Sequence, residues 1–344
     1  MRESRRTRLQ VTTEDGLRRI TLALTGDVML GRLMNDIIHA YGPSYPWGNT
    51  LPLLSGADLS LINLECVIAT DGHPWTRTPK AFFFRADPIA VDVLNVAGID
   101  CVSLANNHSL DYREDAMLEM IGILEANGIA HAGAGQNILE AMRPSFIDAQ
   151  GIKLGVISLT DNEPAWEATE KTPGVNYVAI TTRGRYFQRV KRSIQEARDG
   201  GADLIVLSSH WGPNMRLRPT SQFRSFAHAV IDEGVDIFHG HSAHVFQGIE
   251  IYKGRPIIYD AGDFVDDYAV DDVLRNDWSL LYKLTATATR VERVELFPVL
   301  ISGFQANLAV GEDFEGICRR IQELSAEMGT EMKRLDNSLE VTVS

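Results

Sequence analysis

Five apolar stretches have the length and composition of buried strands, and four of them run straight into acid–base or metal-ligand residue types. Leu22-Ala23-Leu24-Thr25-Gly26 ends at Asp27, and Leu59 through Leu64 ends at Glu65. Cys101 through Ala105 ends at Asn106-Asn107-His108, and Leu204 through Ser209 ends at His210. The fifth, Val235 through Phe238, continues through His239-Gly240 into His241-Ser242-Ala243-His244. In open α/β sheets the ligand crevice lies at the carboxyl ends of the strands. Repeated placement of Asp, Glu, Asn and His there predicts one site assembled from many segments. Carboxylate oxygens, an amide oxygen and imidazole nitrogens suit a divalent cation.

Between these strands the pattern turns helical. Apolar spacing predicts helices over Leu33 to Ala40, Asp111 to Asn127, Thr182 to Arg198, Ser221 to Asp232 and Glu312 to Met328. Asp87-Pro88 opens another, with Asp87 as N-cap and Gly98 closing it. Phe146 to Asp148 and Lys153 to Leu159 read as a hairpin. After the histidine cluster, Gly248 to Tyr252 with Pro256 to Tyr259, and Leu280 to Ala286 with Val291 to Pro298, read as antiparallel pairs. This order predicts an N-terminal extension over residues 1–18, one layered α/β domain over 19–330, and a loose C-terminal tail over 331–344.

Of the 344 residues 44% are apolar, enough for a substantial core. The net charge of −13 excludes a general nucleic-acid binder. It leaves room for a small anionic molecule or peptide as substrate, because a local cationic pocket can sit in an acidic protein. Cys66, Cys101 and Cys318 are far apart with no C-x-x-C spacing, so the expectation is a reducing, cytoplasmic location without disulfides. Ser4-Arg5-Arg6 lacks the apolar region of a twin-arginine signal, and no run of about 18 apolar residues predicts a membrane span.

Each candidate has a structural alternative. Asp27 is a metal ligand or a helix N-cap, and Glu65 a ligand or the partner of an arginine. An Asn oxygen at Asn107 can complete a metal shell, and His108 can protonate a leaving group. Asp111 either orients His108 or caps the next helix, and the cap is the simpler expectation. A lone His210 is ordinarily structural, but its place among the other strand ends favours a ligand. His241 and His244 share a short turn and can reach one ion, or divide between ion and substrate. Asp263 is a partner for an imidazole or a turn carboxylate. Arg77, Arg85 and Arg216, in long loops, and Trp211, next to His210, are candidates for substrate contact. His39, His73, His131 and His228 receive no metal role.

Taken together, Gly26-Asp27-Val28-Met29-Leu30-Gly31-Arg32, Asn63-Leu64-Glu65, Ala105-Asn106-Asn107-His108-Ser109-Leu110-Asp111, His210-Trp211-Gly212 and Gly240-His241-Ser242-Ala243-His244-Val245-Phe246-Gln247-Gly248 resemble the CapA family. These proteins are associated with poly-γ-glutamate capsule synthesis and are similar in fold to calcineurin-like metallophosphoesterases. The resemblance covers about residues 19 to 268 in family order. It implies a calcineurin-like four-layer α/β/β/α sandwich with two mixed sheets. It also implies a metal site at Asp27, Glu65, Asn107, His210, His241 and His244, with His108 as acid–base group. Three positions depart from the pattern: Met29 replaces the usual His of an Asp-x-His motif, Glu65 replaces an Asp, and Ser242-Ala243 alter the last motif. The implied cofactor is Mn, Fe or Zn, as one ion or none rather than two. The implied activity is metal-assisted hydrolysis or transfer at a γ-glutamyl or peptide amide, or at a phosphoester. One alternative is metal-independent epimerisation at a peptide Cα by a His/Asp acid–base pair. The other is a non-catalytic partner in poly-γ-glutamate or peptide biosynthesis, working with proteins of the same biosynthetic cluster.

Overall fold

The computed structural model describes residues 16–343, so the expectations for residues 1–15 lie outside the described residues. Ile20–Val28 is the pivot of a 10-stranded sheet. On one side it pairs in parallel with Leu59–Leu64, followed by Cys101–Ser103 and Ala130–Ala132. On the other it pairs antiparallel with Trp278–Ala286, followed by Val291–Ser302. A 6-stranded sheet runs Ile249–Tyr252, Arg255–Ile258, Ile237–His241, Leu204–His210, Ile152–Thr160, Ser145–Ala149. Its four inner strands are parallel, and its two edges are antiparallel hairpins. Leu59–Leu64 and Leu204–His210 are buried along their whole length. Strands covered on both faces read as continuous apolar runs rather than alternating ones.

Three apolar cores separate four layers. The first packs Met34, Leu54, Leu94, Met117 and Met120, from helices, onto the outer face of the larger sheet through Ala23, Ile62 and Val102. The second fills the space between the sheets with Leu22, Leu24, Leu61, Val156, Val206 and Ile237, and the Gly311–Ala326 helix seals it with Ile317 and Ile321. The third sets Val190, Ile194, Phe226 and Val230, on helices Gly184–Asp199 and Ser221–Asp232, against Ile205, Leu207 and Phe238. This is the α/β/β/α sandwich with two mixed sheets that the resemblance implies.

Two local expectations are corrected. The tail is not loose: Leu339–Thr342 pairs with Val291–Ser302, and Leu339, Val341 and Val343 are buried. Its Leu-Glu-Val-Thr-Val alternation is the period-2 signal of a strand with one face on the core. Nor does Asp87 cap a helix; its carboxylate takes His39, Asn35 and Arg85, while Pro88 starts a single 3-10 turn that leads into Val91–Ala97. Gly98 closes that helix as expected, in the left-handed conformation at φ 71°. No helix among the described residues is long and apolar enough to cross a membrane.

Candidate metal and acid–base site

Strand register brings the ligand types together. Asp27 lies opposite Asn63 on one side and Asp263 on the other, and His210 lies opposite His241. The first group belongs to the larger sheet and the second to the smaller, and the carboxyl ends of both sheets open at the same place. Glycine makes this approach possible. A Cβ on Gly26 would stand 1.8 Å from the Gly262 carbonyl oxygen, and one on Gly240 would stand 2.0 Å from that of Tyr259. The turn after the second sheet is held unusually, with φ of 115° at Ser242 and 60° at His244. Non-glycine residues in this region carry strain that surrounding contacts must hold. Here Asp260 does so, accepting from the Ala243 and Gly262 amides at 2.9 Å each.

Asp27 Oδ1 accepts from Asn63 Nδ2 at 2.7 Å and lies 3.3 Å from His241 Nδ1 and 3.7 Å from His210 Nδ1. The two imidazole nitrogens are 3.0 Å apart. Ligand atoms at roughly 2.0–2.1 Å from a tetrahedral ion are separated by about 3.4 Å, so the 3.0 Å spacing is that of a hydrogen bond between the rings, and it leaves His210 Nε2 as the unpartnered nitrogen. The far nitrogen of His241 is fixed by Ser208 Oγ at 2.9 Å, and Ser208 in turn meets His239 Nδ1 at 3.2 Å. His239 is buried with its Nε2 on the Thr25 carbonyl, which makes it a structural link between the sheets.

Several buried polar atoms here lack hydrogen-bond partners: Asp27 Oδ2, Glu65 Oε1, Asn107 Oδ1, His210 Nε2 and Asp263 Oδ2. A buried unpaired polar atom costs about 1–3 kcal/mol, and a charged one more. His210 Nε2 lies 3.9 Å from Glu65 Oε1, and one atom each of Asp27, Glu65, His244 and Asp263 lies within 4.8 Å of the others, so an ion or ordered water at this spot would complete them. Burial pushes the Glu65 carboxyl well above the usual range, and the Asp27 charge pushes it further. Burial also opposes ionisation of Asp27, but hydrogen bonds from His210 and His241 more than reverse this and hold it low. Burial drives His241 down to about 4, which keeps the imidazole neutral.

His108 stands beside this cluster. Its ring stacks on Phe84 at 3.8 Å between centroids, and its Nδ1 meets Asp111 Oδ2 at 2.6 Å. Burial pushes the Asp111 carboxyl up to about 8, opposed by the Lys80 charge, and the hydrogen bond orients the ring whichever of the two groups carries the proton. Asp111 is itself held by the Phe84 amide at 2.6 Å and by Lys80 Nζ at 3.2 Å. The expectation that Asp111 caps the following helix is therefore corrected: it orients His108. His108 Nε2 points inward, 3.9 Å from Glu65 Oε1. Burial and the Lys80 charge both lower the His108 pKa. Across the cluster, His244 Nδ1 meets Asp263 Oδ1 at 2.8 Å. The two carboxylate-held imidazoles line one cavity of about 440 Å³, together with Arg32, Lys80, Asn107 and Tyr268.

Other sequence candidates sit elsewhere. Arg77 forms a two-pronged surface pair with Glu114 and covers Trp75. Arg85 is taken up by Asp87 and the Ala69 carbonyl. Trp211 is buried with its Nε1 on the Tyr259 carbonyl, and Arg216 lines a separate depression beside it. None of these four lines the cavity at His108 and His244. Asn106 is the structural member of its pair, bonding Asn63 Oδ1 and the Leu64 carbonyl, whereas Asn107 offers a free amide oxygen. Sequence reading missed Asp266 and Tyr268. Asp266 is buried and Tyr268 reaches Glu65 Oε2 at 3.4 Å. The Asp266-Asp267-Tyr268 run after another strand end is the signal that marks them.

Four layers and a strand-end cluster of carboxylates, amide and imidazoles define an α/β protein with a candidate metal centre. Residues 21–268 match the family described as bacterial capsule synthesis protein PGA_cap, and the chain belongs to that family. It is 30% identical over 367 residues to a probable polyglutamine synthesis accessory protein of Mycobacterium tuberculosis, spanning 94% of this chain and 96% of that protein. It is 28% identical over 251 residues to the capsule biosynthesis protein CapA of Bacillus anthracis, spanning 72% of this chain and 60% of that protein. Among solved structures, the calcineurin-like phosphoesterase YfkN from Bacillus subtilis aligns with TM-score 0.38 and 13% identity, over 90% of this chain and 97% of that one.

Proposed function

We propose that this protein is a metal-dependent hydrolase or transferase acting on a γ-glutamyl or peptide amide, with a phosphoester as the other substrate class to be tested. The observation that carries the reading is the set of buried, unpartnered ligand atoms at Asp27, Glu65, Asn107 and His210, beside the histidine pair 3.0 Å apart. Asp27, Glu65, Asn107, His210, His241 and His244 would hold the ion. A divalent metal there supplies Lewis acidity toward a carbonyl or phosphoryl oxygen. Asn63 fixes the Asp27 carboxylate and Ser208 fixes the His241 ring. Asp111 and Phe84 hold the His108 ring, leaving Nε2 to exchange a proton with the departing atom. Lys80 and Arg32 line the cavity as its cationic groups, Lys80 paired with Asp111 and Arg32 with Asp267, so a carboxylate-bearing substrate would have to share them with these partners. The names of the relatives, which concern capsule and polyglutamine synthesis, favour the amide class.

The test is turnover of γ-glutamyl amides and phosphoesters by chelator-stripped protein before and after addition of Mn, Fe or Zn. Cleavage or transfer that returns with metal and is lost in His108→Ala is the expected result. A second reading rests on the two carboxylate-held imidazoles, His108–Asp111 and His244–Asp263, that face one cavity. Two-base epimerisation at Cα uses such a pair. Metal-independent deuterium uptake at a peptide Cα, without cleavage, would select it and overturn the hydrolase.

A further inference from the structure

The cavity at His108 and His244 gathers residues whose backbone is held in a conformation that favours glycine. Among the described residues ten non-glycine positions have positive φ, and four of them, Arg32 (53°), Glu163 (51°), Met215 (58°) and His244 (60°), line this one cavity. Such conformations persist where surrounding contacts enforce them, and they cluster where a ligand is clamped. Arg32 is paired with Asp267 and His244 with Asp263. Glu163 differs. It follows the carboxyl end of Ile152–Thr160, where Thr160 lies opposite His210 in the smaller sheet. A residue before proline is pushed toward extended backbone, yet Glu163 precedes Pro164 at φ 51°, ψ 65°. Its neighbours enforce this: the Asn162 amide donates to Thr160 Oγ1 at 3.0 Å, and the amide of the buried Trp166 donates to the Glu163 carbonyl at 2.8 Å. The carboxylate so placed accepts no hydrogen bond among the described residues. Its ion pair there is with Lys80 Nζ, at 4.0 Å, and Lys80 is nearer to the Asn107 carbonyl at 2.6 Å and Asp111 Oδ1 at 3.2 Å.

We propose that Glu163 binds the free α-ammonium group of the substrate, so that the cavity takes the amino-terminal residue of a γ-glutamyl amide or peptide rather than an interior one. This rests on the amide reading above. The terminal residue of a γ-linked chain keeps both its α-ammonium and its α-carboxylate. An interior residue has spent its amine on the preceding link and offers Glu163 only a neutral amide. A hydrogen bond with both partners charged is shorter and stronger than one to a neutral donor. Glu163 together with Arg32, although Arg32 is shared with Asp267, gives the cavity groups of both signs, the complement of a residue that carries both. The volume of about 440 Å³ lies within the roughly 300–1,000 Å³ of small-molecule sites. The result is a protein that works at the end of a chain.

The experiment is calorimetric titration of the full-length protein, stripped and again with Mn, with γ-glutamylglutamate and with glutarylglutamate, which is the same molecule without the amine. Wild type is expected to bind the amine-bearing compound about tenfold or more tightly than the other, the size of one charged hydrogen bond. Glu163→Gln is expected to bring the two within about twofold by weakening the amine-bearing compound alone. A merely structural Glu163 would leave that preference in place, and an unchanged urea midpoint shows that the variant folds. Equal affinity of wild type for the two compounds, no binding of either, or a preference that survives in Glu163→Gln overturns the proposal. Turnover of the same compounds, followed in parallel, separates it from the reading it rests on. Metal-dependent cleavage without amine preference overturns amine recognition and leaves the hydrolase. Amine-selective binding without cleavage or transfer under any of the three metals overturns the hydrolase and leaves amine recognition.

Discussion

Gly26→Ala tests how the two halves of the site are held together. The added Cβ would lie 1.8 Å from the Gly262 oxygen, 2.7 Å from its carbonyl carbon and 3.0 Å from the Ala261 oxygen. Carbon and carbonyl oxygen normally approach to about 3.3 Å, so the seam must widen by roughly 1.5 Å. All three obstructing atoms are backbone, and no rotamer change relieves them. Overpacking of this kind costs about 1–3 kcal/mol. Widening also breaks the hydrogen bond from the Asp27 amide to the Gly262 oxygen, 2.9 Å in the native chain and worth about 1 kcal/mol. The expected loss is therefore about 3 kcal/mol. Asp27 and Asp263 stand on opposite sides of this seam, so metal affinity should fall as well. The matched control is Gly122→Ala in the Arg113–Ala126 helix, where a Cβ meets nothing within 4 Å. That change should stabilise by about 0.5–1 kcal/mol. Urea unfolding of both variants, with and without Mn, reads the difference. Gly26→Ala within about 0.5 kcal/mol of wild type, with unchanged metal retention, would refute the argument.

Other predictions concern the acid–base pair and the thiols. Asp111→Asn should lower kcat on the amide substrate by about tenfold or more while leaving KM and metal content unchanged, because the residue orients His108 and contacts no ligand atom. His108→Ala should lower kcat by about 10²- to 10⁴-fold, again with metal retained; loss of metal in either variant would make the dyad structural. Burial pushes the Cys66 thiol up to about 12 and the Cys318 thiol up to about 11, and all three cysteines are free and buried. A disulfide-exchange reagent at pH 8 should therefore find no reactive thiol in folded protein and three after unfolding; rapid reaction of the native chain would contradict the packing.

The strand ends are legible in the sequence because inner strands buried on both faces appear as unbroken apolar runs. The first polar residue after each run, Asp27 or Glu65 for example, then marks a carboxyl end. What sequence cannot give is the choice between two local roles at equal spacing. Asp111 lies three residues from His108 and just before a helix, so capping and orienting fit equally well. The choice is made by Lys80 and the Phe84 amide, which arrive from a distant loop and hold the carboxylate away from the helix. The pairing of Arg77 is hidden for a related reason: Glu114, far along the chain, holds it at the surface. Asp263 is half legible. Its place at a strand end is visible, but its alignment with Asp27 depends on a parallel pairing across more than two hundred residues. The C-terminal strand carries a period-2 alternation, but it is only four residues long, and its pairing with Val291–Ser302 is what separates it from a tail.

The central claim is that these strand ends assemble a divalent-metal centre. The most direct measurement is equilibrium dialysis of stripped protein against Mn, Fe and Zn in turn, followed by metal analysis, for wild type and for His210→Ala/His241→Ala. The account predicts at least one equivalent of one of these metals retained by wild type, a raised urea midpoint in its presence, and reduced retention in the double variant. Wild type that retains none of the three, with an unmoved midpoint, would contradict it.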